Sequence, residues 1–142
     1  QAVARNSHLV QDSNGFANAG PGTDMLFYEG VAHAIASVVS GNNLWTLAPC
    51  RNKVHNHGTP LEARMAAEAA HAVVAQGMTR AEANEVVNQL LAKYEDMIPT
   101  DNYGKPYHEV YDVQKAVPTQ EYLDQFNRVK EEIAKMGVNF LW

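Results

Sequence analysis

The pattern of apolar and polar positions divides the chain into a mixed first half and a helical second half. A short apolar run at residues 8–11 predicts a strand, and small polar residues at 12–19 predict the loop after it. Residues 25–40 are apolar nearly all the way round and end at Gly41, which predicts a helix covered on every side by other elements. Residues 42–49 predict a second strand. The first half therefore contains a βα unit.

A sharp turn launches the apolar helix. Its sequence is Gly20-Pro21-Gly22-Thr23-Asp24, in which proline and the flanking glycines favour backbone angles that few other residues adopt. Thr23 is placed to cap the first amides of the helix. The rest of the chain is expected to be organised around this turn and its helix.

Two capping boxes mark the helical second half. The first, residues 59–62, opens a helix that runs to Gln76, and the second, residues 79–82, opens a helix whose apolar repeats continue to Ile98. The connection between these helices is only Gly77-Met78, which predicts a tight helical hairpin. In the first helix the polar residues share one face, predicted to be solvated or to face another subunit. These polar residues are Arg64, Glu68 and His71.

The C-terminal part begins with a tyrosine arm, residues 100–117, whose glycine and prolines argue against a continuous helix. We expect its tyrosines to pack over another surface. Thr119 then caps an amphipathic helix that ends at Gly137, and the apolar tail, residues 138–142, requires a docking surface. The inward positions of this helix are Tyr122, Phe126, Val129, Ile133 and Met136. We place the βα units and arm in residues 1–118, and the last helix and tail in 119–142 of the same domain.

Composition and charge exclude several classes of protein. The 142 residues amount to one domain or a part of a larger one, and the net charge of −5 with scattered signs offers no basic surface for nucleic acid or anionic lipid. A single cysteine suits a reducing compartment, and no run of residues is long and apolar enough to span a membrane. The chain opens on Gln1 with neither an initiator methionine nor a helix cap before the first strand. We therefore expect a piece of a longer protein.

Candidate chemistry is sparse. In βα architectures the loops after the carboxyl ends of strands carry ligands, so Asn14 in the predicted first loop is the first candidate. Glu29 and His33 are one turn apart on the apolar helix, and we expect an internal hydrogen-bonded pair more than a proton-transfer pair. Metal binding is not expected, because the loop with one cysteine and two histidines matches no zinc pattern. Those residues are Cys50, His55 and His57.

An ordered series of short motifs resembles the C-terminal part of the monomethylamine methyltransferases. The resemblance covers essentially the whole chain, and its order and spacing are more specific than any one motif. The matching residues are Ala19-Gly20-Pro21-Gly22-Thr23-Asp24-Met25, Glu29, Val39-Ser40-Gly41, Leu61-Glu62-Ala63-Arg64-Met65, Glu68, Lys93-Tyr94-Glu95, Gly104-Lys105, Tyr111-Asp112-Val113 and Pro118-Thr119-Gln120-Glu121-Tyr122.

This resemblance implies an α/β fold, the C-terminal, helix-rich part of a (β/α)₈ TIM barrel. It further implies a cytoplasmic, homo-oligomeric enzyme of methanogenesis that moves a methyl group from monomethylamine to the Co(I) of a corrinoid carried by a separate protein. A pyrrolysine upstream of this chain is expected to hold the amine, surrounded by two glutamates and a glutamine. Neither nucleic acid nor membrane is expected as a partner.

The resemblance also names substrate-binding residues, while no catalytic residue is assigned to this part. The family's glutamine falls at Asn14, which keeps the amide but is one methylene shorter. Gly15 and Phe16 stand where the family has aromatic residues, so the pocket beside the reactive group is expected to be larger. We predict that Asn14 and Phe16 bind the substrate. Another methyl donor, such as a betaine, remains an alternative, as does a non-catalytic helical assembly module.

Overall fold

The structure is a computed structural model that describes residues 2–142, except for the side chain of Thr46. A tight turn lies at Pro49–Asn52, and a short 3₁₀ turn lies at Glu95–Met97. The helices and strands, in chain order, are α1 (Ala2–Asn6), β1 (Asp12–Phe16), α2 (Asp24–Val39), β2 (Asn43–Ala48), α3 (Pro60–Ala75), α4 (Arg80–Leu91), α5 (Tyr107–Val110), β3 (Tyr111–Asp112), β4 (Val117–Pro118) and α6 (Gln120–Lys135).

A parallel βαβ unit forms the first half of the molecule. β1 and β2 pair in parallel, and α2 makes the crossover between them. Ser13 aligns with Leu44 and Asn14 aligns with residue 46, so Trp45 is an extra residue that makes a β-bulge in β2. The predicted cap is confirmed, because Thr23 Oγ1 accepts a hydrogen bond from the Leu26 amide at 3.4 Å.

The first strand lies further along the chain than its apolar residues predicted. The prediction of a strand at residues 8–11 with a loop at 12–19 is wrong, because β1 is built from the polar stretch itself. Residues 2–6 form α1 instead of leading straight into a strand, and Gln1 lies outside the described residues. The physical reason is that the β1 positions facing α2 are Ser13 and Gly15, whose small side chains leave room for the helix. Such a strand has no apolar periodicity to detect.

The core is centred on α2, as its all-round apolar surface predicted. Two capping boxes start α3 and α4 as expected: Thr59 and Thr79 each bond the glutamate three residues on. The predicted hairpin packing is wrong, because α3 and α4 each pack chiefly against α2. The second of these helices also ends at Leu91, short of Ile98, because the chain turns into a 3₁₀ segment there.

The tyrosine arm and α6 cover the other side of this core. The rings of Tyr107 and Tyr111 stack with centroids 4.8 Å apart, and Tyr111 meets Tyr122 of α6 edge-on at 6.3 Å. The arm is therefore packed by its tyrosines, as predicted. The inward face of α6 is also confirmed, since four of its five predicted residues are buried. These are Tyr122, Phe126, Val129 and Ile133.

A buried ion pair joins α3 to α6. Glu68 is 4% exposed and accepts hydrogen bonds at 2.6 Å from Lys130 and at 2.6 Å from Arg64. The predicted solvated stripe on α3 is therefore wrong at Glu68, because Lys130, far along the chain, covers it. Beyond α6, Val138 docks into the core. Within residues 2–142, none of the helices has the length and apolar character that a membrane crossing requires.

Candidate functional site

Asn14 and Phe16 project from the face of β1 that points away from α2. Side chains alternate across a strand, and Ser13 and Gly15 take the positions against the helix. Asn14 is accordingly exposed, and 59% of Phe16 is exposed. The predicted position of Asn14 in a loop is wrong, because it lies within β1. It nevertheless shares one face with Phe16, the last residue of the strand.

Both parallel strands end at the same edge of the sheet. Phe16 aligns with Ala48, so the segments that follow β1 and β2 leave side by side. The Ala17 amide donates to the Ala48 carbonyl at 3.1 Å, and the Arg51 amide donates to the Ala17 carbonyl at 2.7 Å. In α/β folds ligands bind at the carboxyl ends of parallel strands. This edge is therefore the candidate site.

The turn that follows β2 holds an unusual backbone conformation. Cys50, Arg51 and Asn52 have φ values of 53°, 50° and 57°, so three consecutive residues other than glycine are left-handed. Each such residue costs roughly 1–2 kcal/mol relative to the right-handed form. Strain of this kind concentrates at functional sites, where the surrounding structure maintains it. This turn was not predictable from the sequence, because it contains no glycine.

A third segment closes the same edge. We name residues 98–105 the rim segment. The buried Asn18 amide donates to the carbonyls of Ile98 and Thr100, at 3.0 Å each. The Gly20 amide donates to the Asn102 carbonyl at 2.9 Å. Hydrogen bonds therefore join the loop after β1 to the rim segment. Asn18 was not predicted from the sequence, because its partners lie about eighty residues away.

Glu29 and His33 do not bond each other, so the predicted pair is wrong. Glu29 Oε2 accepts a hydrogen bond from the Ala19 amide at 2.9 Å, and His33 Nε2 lies 3.3 Å from Ser13 Oγ. Burial raises the pKa of Glu29, an effect that the nearby backbone amides and the charge of Arg51 oppose. Burial lowers the pKa of His33 and favours its neutral imidazole.

The candidate metal ligands make separate contacts. Cys50 is fully buried, and its Sγ donates to the Tyr103 carbonyl at 3.4 Å. His57 Nδ1 lies 2.7 Å from the His55 carbonyl. Among the residues that the structure describes, no group of three or more His, Cys, Asp or Glu side chains is placed to hold a metal ion.

The fold and this edge define an α/β protein with a candidate ligand site at the carboxyl ends of parallel strands. Comparison with known proteins is more specific, because a family model described as "Monomethylamine methyltransferase MtmB" matches residues 1–138. The chain belongs to the monomethylamine methyltransferase family.

Curated relatives agree with this assignment. Monomethylamine methyltransferase MtmB of Methanosarcina mazei is 34% identical over 139 residues, which cover 97% of this chain and 30% of the relative. MtmB2 of Methanosarcina acetivorans is 32% identical with the same coverage. The chain thus spans about 30% of the length of the curated relatives it matches.

The solved structures extend the agreement to the fold. The crystal structure of the Methanosarcina barkeri monomethylamine methyltransferase matches with a TM-score of 0.91 at 27% identity, over 97% of this chain and 30% of that one. The crystal structure of a hydroxylamine MtmB complex matches with the same TM-score. The predicted fold class is confirmed: the mixed helix and sheet structure is the C-terminal, helix-rich part of an α/β barrel.

Proposed function

We propose that this chain is the C-terminal part of an enzyme that moves a methyl group from monomethylamine, or a related methylated amine, to the Co(I) of a cognate corrinoid protein. Membership of the family supports the proposal, and so do the names of the relatives. The observation that carries it for this chain is the exposure of Asn14 and Phe16 on one face of β1 at the sheet's carboxyl edge. We further propose a cytoplasmic homo-oligomer.

In this proposal Asn14 orients the methyl donor. Its side-chain amide offers both a donor and an acceptor, and the pleat of β1 fixes the direction in which it projects. A hydrogen bond to the bound amine would hold its methyl group in line for transfer. Catalysis by orientation of this kind is worth several powers of ten in rate when the reacting atoms are held close together.

Phe16 forms an apolar wall beside that amide. Its ring stands two residues further along the same face, at the strand end. An exposed aromatic ring at such an edge excludes water from a neighbouring methyl group and packs against it. The pair therefore offers one polar and one apolar contact, which fits a small methylated amine.

The corrinoid is assigned to the partner protein, and pyrrolysine to the polypeptide upstream. When bound, the corrinoid supplies the reduced cobalt that accepts the methyl group. The described residues fit this division, because Asn14 and Phe16 are both exposed among them. This chain's contribution is to bind and orient the donor.

The test is methyl transfer by the full-length protein with its cognate corrinoid protein reduced to Co(I), followed by the visible absorbance of the cobalt. We expect transfer from monomethylamine, and we expect Asn14→Ala to lower the rate by about 100-fold, since it removes an orienting hydrogen bond. Asn14→Gln should retain most activity, because it keeps the amide. Asn127→Ala, at an exposed position of α6, is the matched control.

The choice of donor is tested in the same assay. Because Asn14 is one methylene shorter than glutamine, we include dimethylamine, trimethylamine and glycine betaine as donors. A higher rate with one of these than with monomethylamine would revise the substrate within the methylated amines. No transfer from any of them, or an Asn14→Ala enzyme as active as the unsubstituted one, would contradict the proposal.

A further inference from the structure

Two ionisable side chains in the middle of α2 face the strand that carries the proposed site. Glu29 and His33 lie one turn apart in the middle of α2, where the surrounding residues are largely apolar, and both are half-buried. Removing an ionisable group from water is costly unless it gains partners. The contacts of these two side chains therefore indicate what each of them does in the fold.

His33 packs against the back of β1. Its Nε2 lies 3.3 Å from Ser13 Oγ, and a Cβ added to Gly15 would approach His33 Cδ2 to 2.7 Å. The ring thus touches the backbone of Gly15 directly, on the side opposite the side chains of Asn14 and Phe16. Any residue larger than glycine at position 15 would require the side chains of His33 and Leu47 to move.

Glu29 holds the backbone that leaves the strand. Its Oε2 accepts a hydrogen bond from the backbone amide of Ala19 at 2.9 Å. The backbone amide of Asn18 also lowers the pKa of Glu29, against the effect of burial. A carboxylate that accepts a backbone amide hydrogen fixes the path of the loop that contains that amide. This contact lies three residues after Phe16.

We propose that Glu29 and His33 are positioning residues, which hold β1 on both sides of Asn14 and Phe16 and so aim these two side chains at the methyl donor. This inference rests on the proposed function. His33 fixes the strand from behind at Ser13 and Gly15, and Glu29 fixes its exit at Ala19. Neither side chain needs to touch the substrate, because each acts through the backbone that carries Asn14.

The test is a double-mutant cycle in the full-length protein, measured as kcat/KM for methyl transfer. We expect Glu29→Ala to lower kcat/KM by between about 10-fold and 100-fold, because an orienting group displaced by about 1 Å loses most of its effect. Glu29→Gln should recover part of this loss, because its side-chain oxygen still accepts an amide hydrogen. Glu85→Ala, at an exposed position of α4, is the matched control.

The decisive comparison is made in the Asn14→Ala background. If Glu29 acts through Asn14, Glu29→Ala should have less than a threefold effect once Asn14 is absent, because the two losses are not additive. A merely structural role would lower kcat/KM equally in both backgrounds and would overturn the inference. Should Glu29→Ala fail to accumulate as folded protein, His33→Leu is carried through the same cycle with the same two outcomes.

The proposed function and this inference fail in different ways. An unsubstituted protein that transfers no methyl group contradicts the proposed function and this inference with it. An active unsubstituted protein in which Glu29→Ala and His33→Leu leave kcat/KM unchanged, or act additively with Asn14→Ala, contradicts the inference alone.

Discussion

Replacing Gly20 by alanine is expected to separate the rim segment from the loop that follows β1. A Cβ at position 20 would lie 1.8 Å from the Tyr103 carbonyl oxygen and 2.6 Å from Cys50 Sγ. The nearer atom belongs to the backbone, so no side-chain rotation relieves the clash. The substitution would also strain the hydrogen bond between the Gly20 amide and the Asn102 carbonyl. We expect the free energy of unfolding to fall by about 3 kcal/mol, which is the upper end of the usual range for overpacking.

Limited proteolysis of the full-length protein measures this separation. Chymotrypsin should cleave after Tyr103 much faster in Gly20→Ala than in the unsubstituted protein, because a detached segment is open to the protease. Gly58→Ala is the matched control, since a Cβ there meets its nearest neighbours at 3.9 and 4.0 Å, an ordinary contact. Equal resistance of Gly20→Ala and the unsubstituted protein would show that the rim segment does not pack as described.

Replacing Phe126 by alanine is expected to be the most destabilising side-chain truncation in α6. Phe126 is 2% exposed, meets Phe27 of α2 edge-on at 5.8 Å and lies under the guanidinium of Arg64 at 5.5 Å. Its loss leaves a cavity where α2, α3 and α6 meet. Truncations of this kind cost about 3–5 kcal/mol, because lost burial adds to the cost of the cavity.

The urea midpoint of the full-length protein measures the effect of Phe126. Phe126→Leu is the matched control, because it keeps most of the buried volume and should cost less than about 1.5 kcal/mol. Both variants leave β1 and its edge unchanged, so the methyl-transfer rate of the folded fraction should be unaffected. An alanine variant no less stable than the leucine variant would contradict the packing of α6 on α2.

The helices were predictable because their signals are local. Thr59 and Thr79 cap α3 and α4 through residues within the next turn, and the apolar stripe of α6 repeats at helical spacing. The residues that specify a helix lie close together in the sequence. These helices could therefore be predicted without knowing which elements pack against them.

The strand β1 and its surroundings were not predictable in the same way. Ser13 and Gly15 form its inner face only because His33 and Leu47 fill the space around them. Glu68 is buried with two cationic partners, and one of them, Lys130, lies 62 positions later in the chain. Features that depend on distant partners leave no periodic pattern in the sequence.

The candidate site was predictable in part. The family resemblance singled out Asn14 and Phe16 as substrate-binding residues, and this role stays a prediction. The structure shows that they share an exposed face. The spacing of Glu29 and His33 marked them as notable, but it suggested that they bond each other, whereas each reaches a different part of β1 and its loop. Helical spacing shows which side chains lie next to each other on a helix. It does not show which backbone groups elsewhere in the fold form hydrogen bonds with them.

A crystal structure of the full-length protein with monomethylamine bound tests the central claim most directly. We predict that the Asn14 amide lies within hydrogen-bond distance of the bound ligand or its adduct, about 3 Å, with the Phe16 ring beside it. The same structure should show Glu29 on the Ala19 amide. A ligand bound elsewhere, with Asn14 and Phe16 packed into another part of the protein and away from any cavity, would contradict the account.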